Sequence, residues 1–290
     1  MRRLDGLTRL LGSAVLTLAL LLGVQTTEAV EASQQDGSVV GLAYESGTDT
    51  LLKAYARALY RSADGGQSWR KLEIASLEDG EIASLATSPA SQVVMYVAGP
   101  RLGVLRTDDG GKTWVERNEG LPSRNVIAVT AHTTQPETFY AVVKEHGVYR
   151  SQDAGKSWRL MDRSVREGVR QLIHSDMAGS MQTGWLFAAT PKGIRRAMDC
   201  FCLWQDAGKL GTDTYGVTYD PTQPEHIYAT TEKGLFRSMD GGESWAQVTA
   251  PSSKAVALAF SHSGILFAID ANGGLYRSAD QGGTWTQVNA

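Results

Sequence analysis

The sequence predicts an all-β protein, a six-bladed β-propeller, and three observations carry the prediction. A short motif ending in tryptophan returns along the chain as RSADGGQSW (Arg61 to Trp69), RTDDGGKTW (Arg106 to Trp114), RSQDAGKSW (Arg150 to Trp158), RSMDGGESW (Arg237 to Trp245) and RSADQGGTW (Arg277 to Trp285). With the degenerate copy RRAMDCFCLW, Arg195 to Trp204, the six tryptophans stand 45, 44, 46, 41 and 40 residues apart, the length of one four-stranded propeller blade. Between the motifs, short β-branched and aromatic runs alternate with clusters of Gly, Pro, Asp and Ser, as in strands joined by tight turns.

The elements follow in order. The first ten residues, MRRLDGLTRL, are basic, Leu10 to Thr27 carry no charge, and small residues at Ala29 and Ala32 sit at cleavage-like positions. Residues 1–32 therefore read as a signal peptide, with an uncleaved N-terminal membrane anchor as the alternative, because an apolar run of this length just spans a bilayer. Residues 33–290 read as the propeller, exported to the periplasm or the extracellular space. Its units fall at roughly 38–75, 80–119, 124–163, 167–209, 212–249 and 254–290. Each holds an inner strand, a second strand, a Gly-apolar-apolar-Arg strand and a last strand after the motif, here called A to D. The chain starts on an A strand and ends on a D strand, so the ring closes by side-chain packing between the first and last blades; a seventh, weaker unit is the alternative.

Within the motif, Asp64, Asp109, Asp153, Asp240 and Asp280 can accept hydrogen bonds from the N–H groups of a turn, and a Ser or Thr before the Trp can donate to the same carboxylate. Gly66, Gly111, Gly155, Gly242 and Gly282 suit a positive φ. Asp199 occupies the same position in the degenerate copy. Trp69, Trp114, Trp158, Trp204, Trp245 and Trp285 cover blade edges, and a buried indole N–H needs an acceptor. Six carboxylates spread around a ring cannot converge on one substrate, so no catalytic residue is assigned to them. The recurring Arg61, Arg106, Arg150, Arg196, Arg237 and Arg277 read as structural too, stacked on an aromatic ring or paired with a carboxylate.

The pattern Ser/Thr-x-Asp-x-Gly-x-Ser/Thr-Trp resembles the Asp-box, or BNR, repeat of sialidases, sortilin-type receptors and the photosystem II stability/assembly factor family. The last is the most similar: a signal-bearing chain of about this size, almost wholly blades, with an arginine-rich docking face. That resemblance implies a non-enzymatic scaffold that docks a protein partner and assists assembly of a membrane complex, although the six units here depart from the seven of that family. A carbohydrate-binding protein or sialidase-like glycoside hydrolase is the rival. The chain lacks the Arg-Ile-Pro segment and the recurring inner-strand arginines that sialidases share.

Composition narrows the classes further. With 42% hydrophobic residues, a net charge of −3 and pI near 6.0, nothing draws the whole chain toward nucleic acid or an anionic membrane. The five histidines, His132, His146, His174, His226 and His262, lack metal-ligand spacing and read as solvated loop residues. No cofactor or metal is expected. Cys200 and Cys202, the only cysteines, lie in the degenerate motif, where Phe201 replaces the special glycine. A disulfide that pins the altered turn, or a redox or soft-metal site, both fit the pair. On the face opposite the motif turns, B–C loops bring Arg101, Lys144, Lys192 and Lys233, and D–A loops bring Arg124, Arg163, Arg166 and Arg170. All of these but Arg170 are the candidate partner-binding residues, set among acids that include Glu145, Asp162, Glu167 and Glu232.

Overall fold

A computed structural model describes residues 36–77, 79–165, 168–181 and 183–288. The N-terminal segment 1–32 and Arg166 lie outside the described residues. Among the described residues, twenty-four strands form six four-stranded antiparallel sheets, each paired in simple sequence order. Blade 1 holds β1 (Val39–Glu45), β2 (Thr50–Tyr55), β3 (Ala58–Ser62) and β4 (Arg70–Leu72); blade 2 holds β5 (Ser84–Thr87), β6 (Met95–Gly99), β7 (Gly103–Thr107) and β8 (Val115–Glu116). Blade 3 follows as β9 (Val126–Ala131), β10 (Phe139–Val143), β11 (Gly147–Ser151) and β12 (Arg159–Asp162), and blade 4 as β13 (Gln171–Ser175), β14 (Trp185–Thr190), β15 (Gly193–Met198) and β16 (Gln205–Asp206). Blade 5 is β17 (Thr214–Asp220), β18 (Gln223–Thr231), β19 (Gly234–Ser238) and β20 (Ala246–Gln247); blade 6 is β21 (Ala255–Phe260), β22 (Leu266–Asp270), β23 (Leu275–Ser278) and β24 (Thr286–Gln287). Each sheet falls inside one predicted unit, and the architecture is a six-bladed propeller.

The B strands show why the ring is stable. β2, β6, β10, β14 and β22 are buried at every position, because both faces of a middle strand pack on neighbouring blades, so their sequences run apolar rather than alternating. The core is accordingly divided into six clusters, each between two adjacent blades. One of them joins blade 1 to blade 6: Leu42, Leu51, Tyr55 and Tyr60 meet Ala257, Phe267, Ile269 and Leu275. The Val39 N–H also donates to the Ala271 carbonyl at 3.4 Å. Among the described residues closure thus rests on packing, with no strand exchanged between blades 1 and 6.

The inner strands β1, β5, β9, β13, β17 and β21 surround a central channel. They run away from the face that bears the B–C and D–A loops and toward the face that bears the motif turns. Near the motif end the channel narrows to a space of about 130 Å³, lined among others by Tyr44, Thr87, Thr130, His174, Tyr219 and Phe260. At the loop-bearing end it widens into a mouth of about 560 Å³, lined by Val40, Ile82, Ile127, Val169 and Val256 with Arg170 and Tyr215.

Candidate partner-docking face and the turns behind it

The five regular motif turns share one hydrogen-bond design. In the first, the Ser62 hydroxyl donates to Asp64 Oδ1 at 2.7 Å and accepts the Gly66 N–H at 2.8 Å. The Ser68 N–H and hydroxyl then donate to the two oxygens of the same carboxylate at 2.9 and 2.5 Å. Asp109, Asp153, Asp240 and Asp280 repeat the arrangement with Thr113, Ser157, Ser244 and Thr284. A carboxylate that accepts several such bonds is favoured in its charged form. The Ser157 hydroxyl and N–H hold the Asp153 carboxyl at about 2, and the Thr284 N–H does the same for Asp280.

The tryptophans and arginines tie each turn to a neighbouring blade. The indole N–H groups of Trp158, Trp245 and Trp285 donate to Arg117, Ala207 and Thr249 carbonyls at the end of the preceding blade, at 2.9, 2.8 and 2.8 Å. The guanidinium groups reach forward. Arg61 donates to the Gly110 carbonyl of the next motif turn at 2.9 Å while it pairs with the buried Glu45 at 2.6 Å. Arg196 donates to the Gly241 carbonyl at 2.6 Å and Arg237 to Gln281 Oε1 at 3.3 Å. Arg106 reaches Pro136 and Glu137 in the following blade, each at 3.5 Å, and pairs with Asp108 at 2.6 Å.

The fourth turn breaks this scheme. Cys200 and Cys202 form a disulfide. Asp199 turns to the A–B loop of its own blade, where Oδ1 accepts the Ser180 hydroxyl and the Met181 N–H, both at 2.9 Å. Phe201, at φ 52°, sends its ring into the core between blades 3 and 4, edge-on to Tyr140 with centroids 5.1 Å apart.

Beside this plug lies a buried histidine pair that the sequence reading placed in solvent. His132 and His174 are 3% and 2% exposed and their rings lie 4.0 Å apart; His226 is buried too, while His146 and His262 are exposed. His174 Nδ1 accepts the Thr133 N–H at 3.2 Å and its Nε2 donates to the Thr183 carbonyl at 2.7 Å, so the ring is neutral with its proton on Nε2. Burial brings His132 down to about 4 and His174 to about 3, the latter also through repulsion from His132. The signal for the pair was available: the two histidines stand at the ends of A strands in successive blades.

On the opposite face the candidate cations occupy equivalent turns. Arg101, Lys144, Lys192 and Lys233 follow the B strands of blades 2, 3, 4 and 5, all exposed. None has an acid partner among the described residues, and the same holds for the exposed Arg163. Arg124 differs, because it pairs with Glu116 at 2.6 Å; the pairing holds the Glu116 carboxyl below its ordinary range. Arg57 occupies the corresponding turn of blade 1, against Glu81 at 3.5 Å. It escaped the sequence reading, although it stands just ahead of a C strand like the others. Further round, Tyr215 lies between two cations, the Arg170 guanidinium 4.6 Å and the Lys254 ammonium 4.5 Å from its ring. Arg170 also pairs with Asp213 at 2.9 Å, and Glu232 accepts from both Tyr215 and Lys254. This cluster borders the channel mouth, so the face combines unpaired cations on blades 2 to 5 with an apolar funnel at their centre. Among the described residues no three His, Cys, Asp or Glu side chains are grouped to hold a metal.

Known proteins resemble the chain in parts. A family model for Sortilin (neurotensin receptor 3, the Sortilin-Vps10 family) matches residues 57–181. A probable oligoxyloglucan-reducing end-specific xyloglucanase of Neosartorya fischeri is 25% identical over 224 residues, 64% of this chain and 26% of that protein. The chain thus spans about a quarter of the curated relative it matches. Among solved structures, the GH74 enzyme of Niastella koreensis superposes with a TM-score of 0.60 at 17% identity, covering 85% of this chain and 46% of the other. A YCF48 structure bound to a D1 peptide gives 0.59 at 18% identity, covering 87% and 82%; YCF48 from Cyanidioschyzon merolae gives 0.56 at 16%, covering 87% and 85%. At these identities the structures establish the shared propeller fold.

Proposed function

We propose that this chain is a non-enzymatic, exported docking protein whose loop-bearing face engages an acidic segment of a protein partner, in the setting of assembling a membrane complex of the cell envelope. The observation that carries the reading is the row of exposed cations, Arg101, Lys144, Lys192 and Lys233, repeated in the B–C turns of four consecutive blades without acid partners among the described residues. Cations left unneutralised on one face attract an acidic ligand at a distance, and the apolar funnel beside them offers burial once it has docked. A YCF48 bound to a D1 peptide shares the fold over 82% of its chain, which supports a peptide-docking use of the propeller.

Reversing the four charges together, as Arg101→Glu, Lys144→Glu, Lys192→Glu and Lys233→Glu, is expected to weaken partner capture from an envelope fraction at least about tenfold and to flatten its salt dependence. Arg124→Glu, at a cation already paired, should cost much less. Undiminished capture by the fourfold variant overturns the reading.

The xyloglucanase similarity favours a second reading, a carbohydrate-active face. Incubation with xyloglucan oligosaccharides is expected to release no new reducing ends; release that survives purification to homogeneity would replace the docking assignment.

A further inference from the structure

We propose that the Cys200–Cys202 disulfide is a thiol–disulfide exchange site that oxidises dithiols carried on apolar polypeptide segments. Both cysteines are exposed, on the face opposite the cation row. The bond spans a single intervening residue, so it closes the smallest of loops and restrains the unfolded chain little. The turn does not depend on it. Phe201 is fully buried against Tyr140, its N–H donates to the Met198 carbonyl at 3.1 Å, and Asp199 is held by Ser180, Met181 and Thr183. With the turn anchored on both sides, opening the S–S bond leaves the backbone in place.

The surroundings indicate the substrate. Met198, Leu203 and Met181 are 42%, 82% and 85% exposed. The first two flank the cysteines in sequence, and the third is tied to the neighbouring Asp199 through its own N–H. Exposed, flexible, polarizable side chains around a reactive bond suit an unstructured apolar segment rather than a shaped ligand.

In the exchange, a substrate thiolate attacks one sulfur of the pair; a mixed disulfide forms and the other cysteine leaves as a thiolate. The substrate's second thiolate then attacks the substrate sulfur of the mixed disulfide, closing a substrate disulfide and releasing the second cysteine thiolate. Two electrons pass from substrate to protein, and the two substrate thiol protons end on the cysteine pair or in solvent. A small-molecule disulfide such as oxidised glutathione restores the starting state by the reverse exchange.

The test uses the full chain with two reduced probes of matched thiol pKa: a Cys-x-x-Cys peptide flanked by Leu and Phe, and the same peptide flanked by Ser. Native protein is expected to oxidise the apolar peptide at least about tenfold faster than the polar one, since capture of the apolar flanks adds to the rate. Reduced protein should show two alkylatable cysteines with Tm lowered by no more than about 4 °C. The triple variant Met181→Ser, Met198→Ser, Leu203→Ser should lose the preference for the apolar peptide while its reaction with dithiothreitol is unchanged. Equal rates with the two peptides, or a disulfide that reduces only in denaturant, overturns the proposal, and neither result bears on the docking face.

Discussion

Acidification from pH 7 to pH 5 is expected to remove about 4 kcal/mol of stability through the buried His132–His174 pair. Unfolded, both imidazoles titrate near 6.5 and each takes up a proton; folded, both stay neutral, held down at about 4 and about 3 by burial. A folded pKa below the unfolded one means that the unfolded chain binds more protons, so stability is full above about 6.5 and falls as pH drops through that value. At pH 5 each histidine contributes roughly 2 kcal/mol of loss, at 1.36 kcal/mol per pH unit. The fall levels off near the folded values. Arg150, Tyr140 and Asp176 face the pair; Arg150 opposes and Asp176 favours charging His132. The motif carboxylates act in a separate window, since Asp64, Asp153, Asp240 and Asp280 sit at about 2 when folded and lose their contribution only below about 4. Denaturant melts at pH 7 and pH 5, compared with the His132→Asn, His174→Gln double variant, check this. A double variant that loses as much stability between the two pH values as the native protein would place the effect elsewhere.

Truncating Phe201 to alanine is expected to cost about 3–5 kcal/mol, the range for removing a buried aromatic side chain, and to lower Tm on the order of 10 °C. The ring is fully buried between blades 3 and 4 and packs against Tyr140, so its loss opens a cavity in the joint rather than a dent in the surface. Glycine at the same position should do better than alanine by about 1 kcal/mol, because Phe201 holds φ at 52°, a left-handed conformation that costs an L side chain about that much. Thermal melts of the two variants give the comparison, and a Phe201→Ala protein that melts like the native chain would show that blades 3 and 4 do not need the plug.

The repeat made the fold readable because five of the six blades use the same local chemistry: an Asp flanked by hydroxyls and a glycine closes the turn, and in three of them the following Trp finds its acceptor one blade back. The spacing of six tryptophans was enough to place all six sheets. What stayed hidden lies where blades meet. Nothing in the sequence around Phe201 said that the ring would turn inward, because burial there is decided by Tyr140, which precedes it by about sixty residues. His132 and His174 read as solvated when each is taken singly, and only their matching places at the ends of A strands in successive blades pointed to the joint that buries them together. The cation row was legible because turn residues follow strand ends, whereas the pairing that separates Arg124 from Arg101 depended on where Glu116 projects.

The joint between blades 6 and 1 carries less stitching than most of the ring. Trp69 donates to the Gly66 carbonyl of its own turn at 3.1 Å instead of reaching back to blade 6, and among the described residues Arg277 makes no hydrogen bond forward to blade 1. What holds this joint is apolar packing, which is less directional than the tethers of Arg61 or Trp245, with the backbone bond from Val39 to Ala271 beside it. The first and last blades of the described residues meet at the same place. This seam is therefore the clasp of the ring: a sheet inserted there would widen the circumference while the other five joints kept their packing.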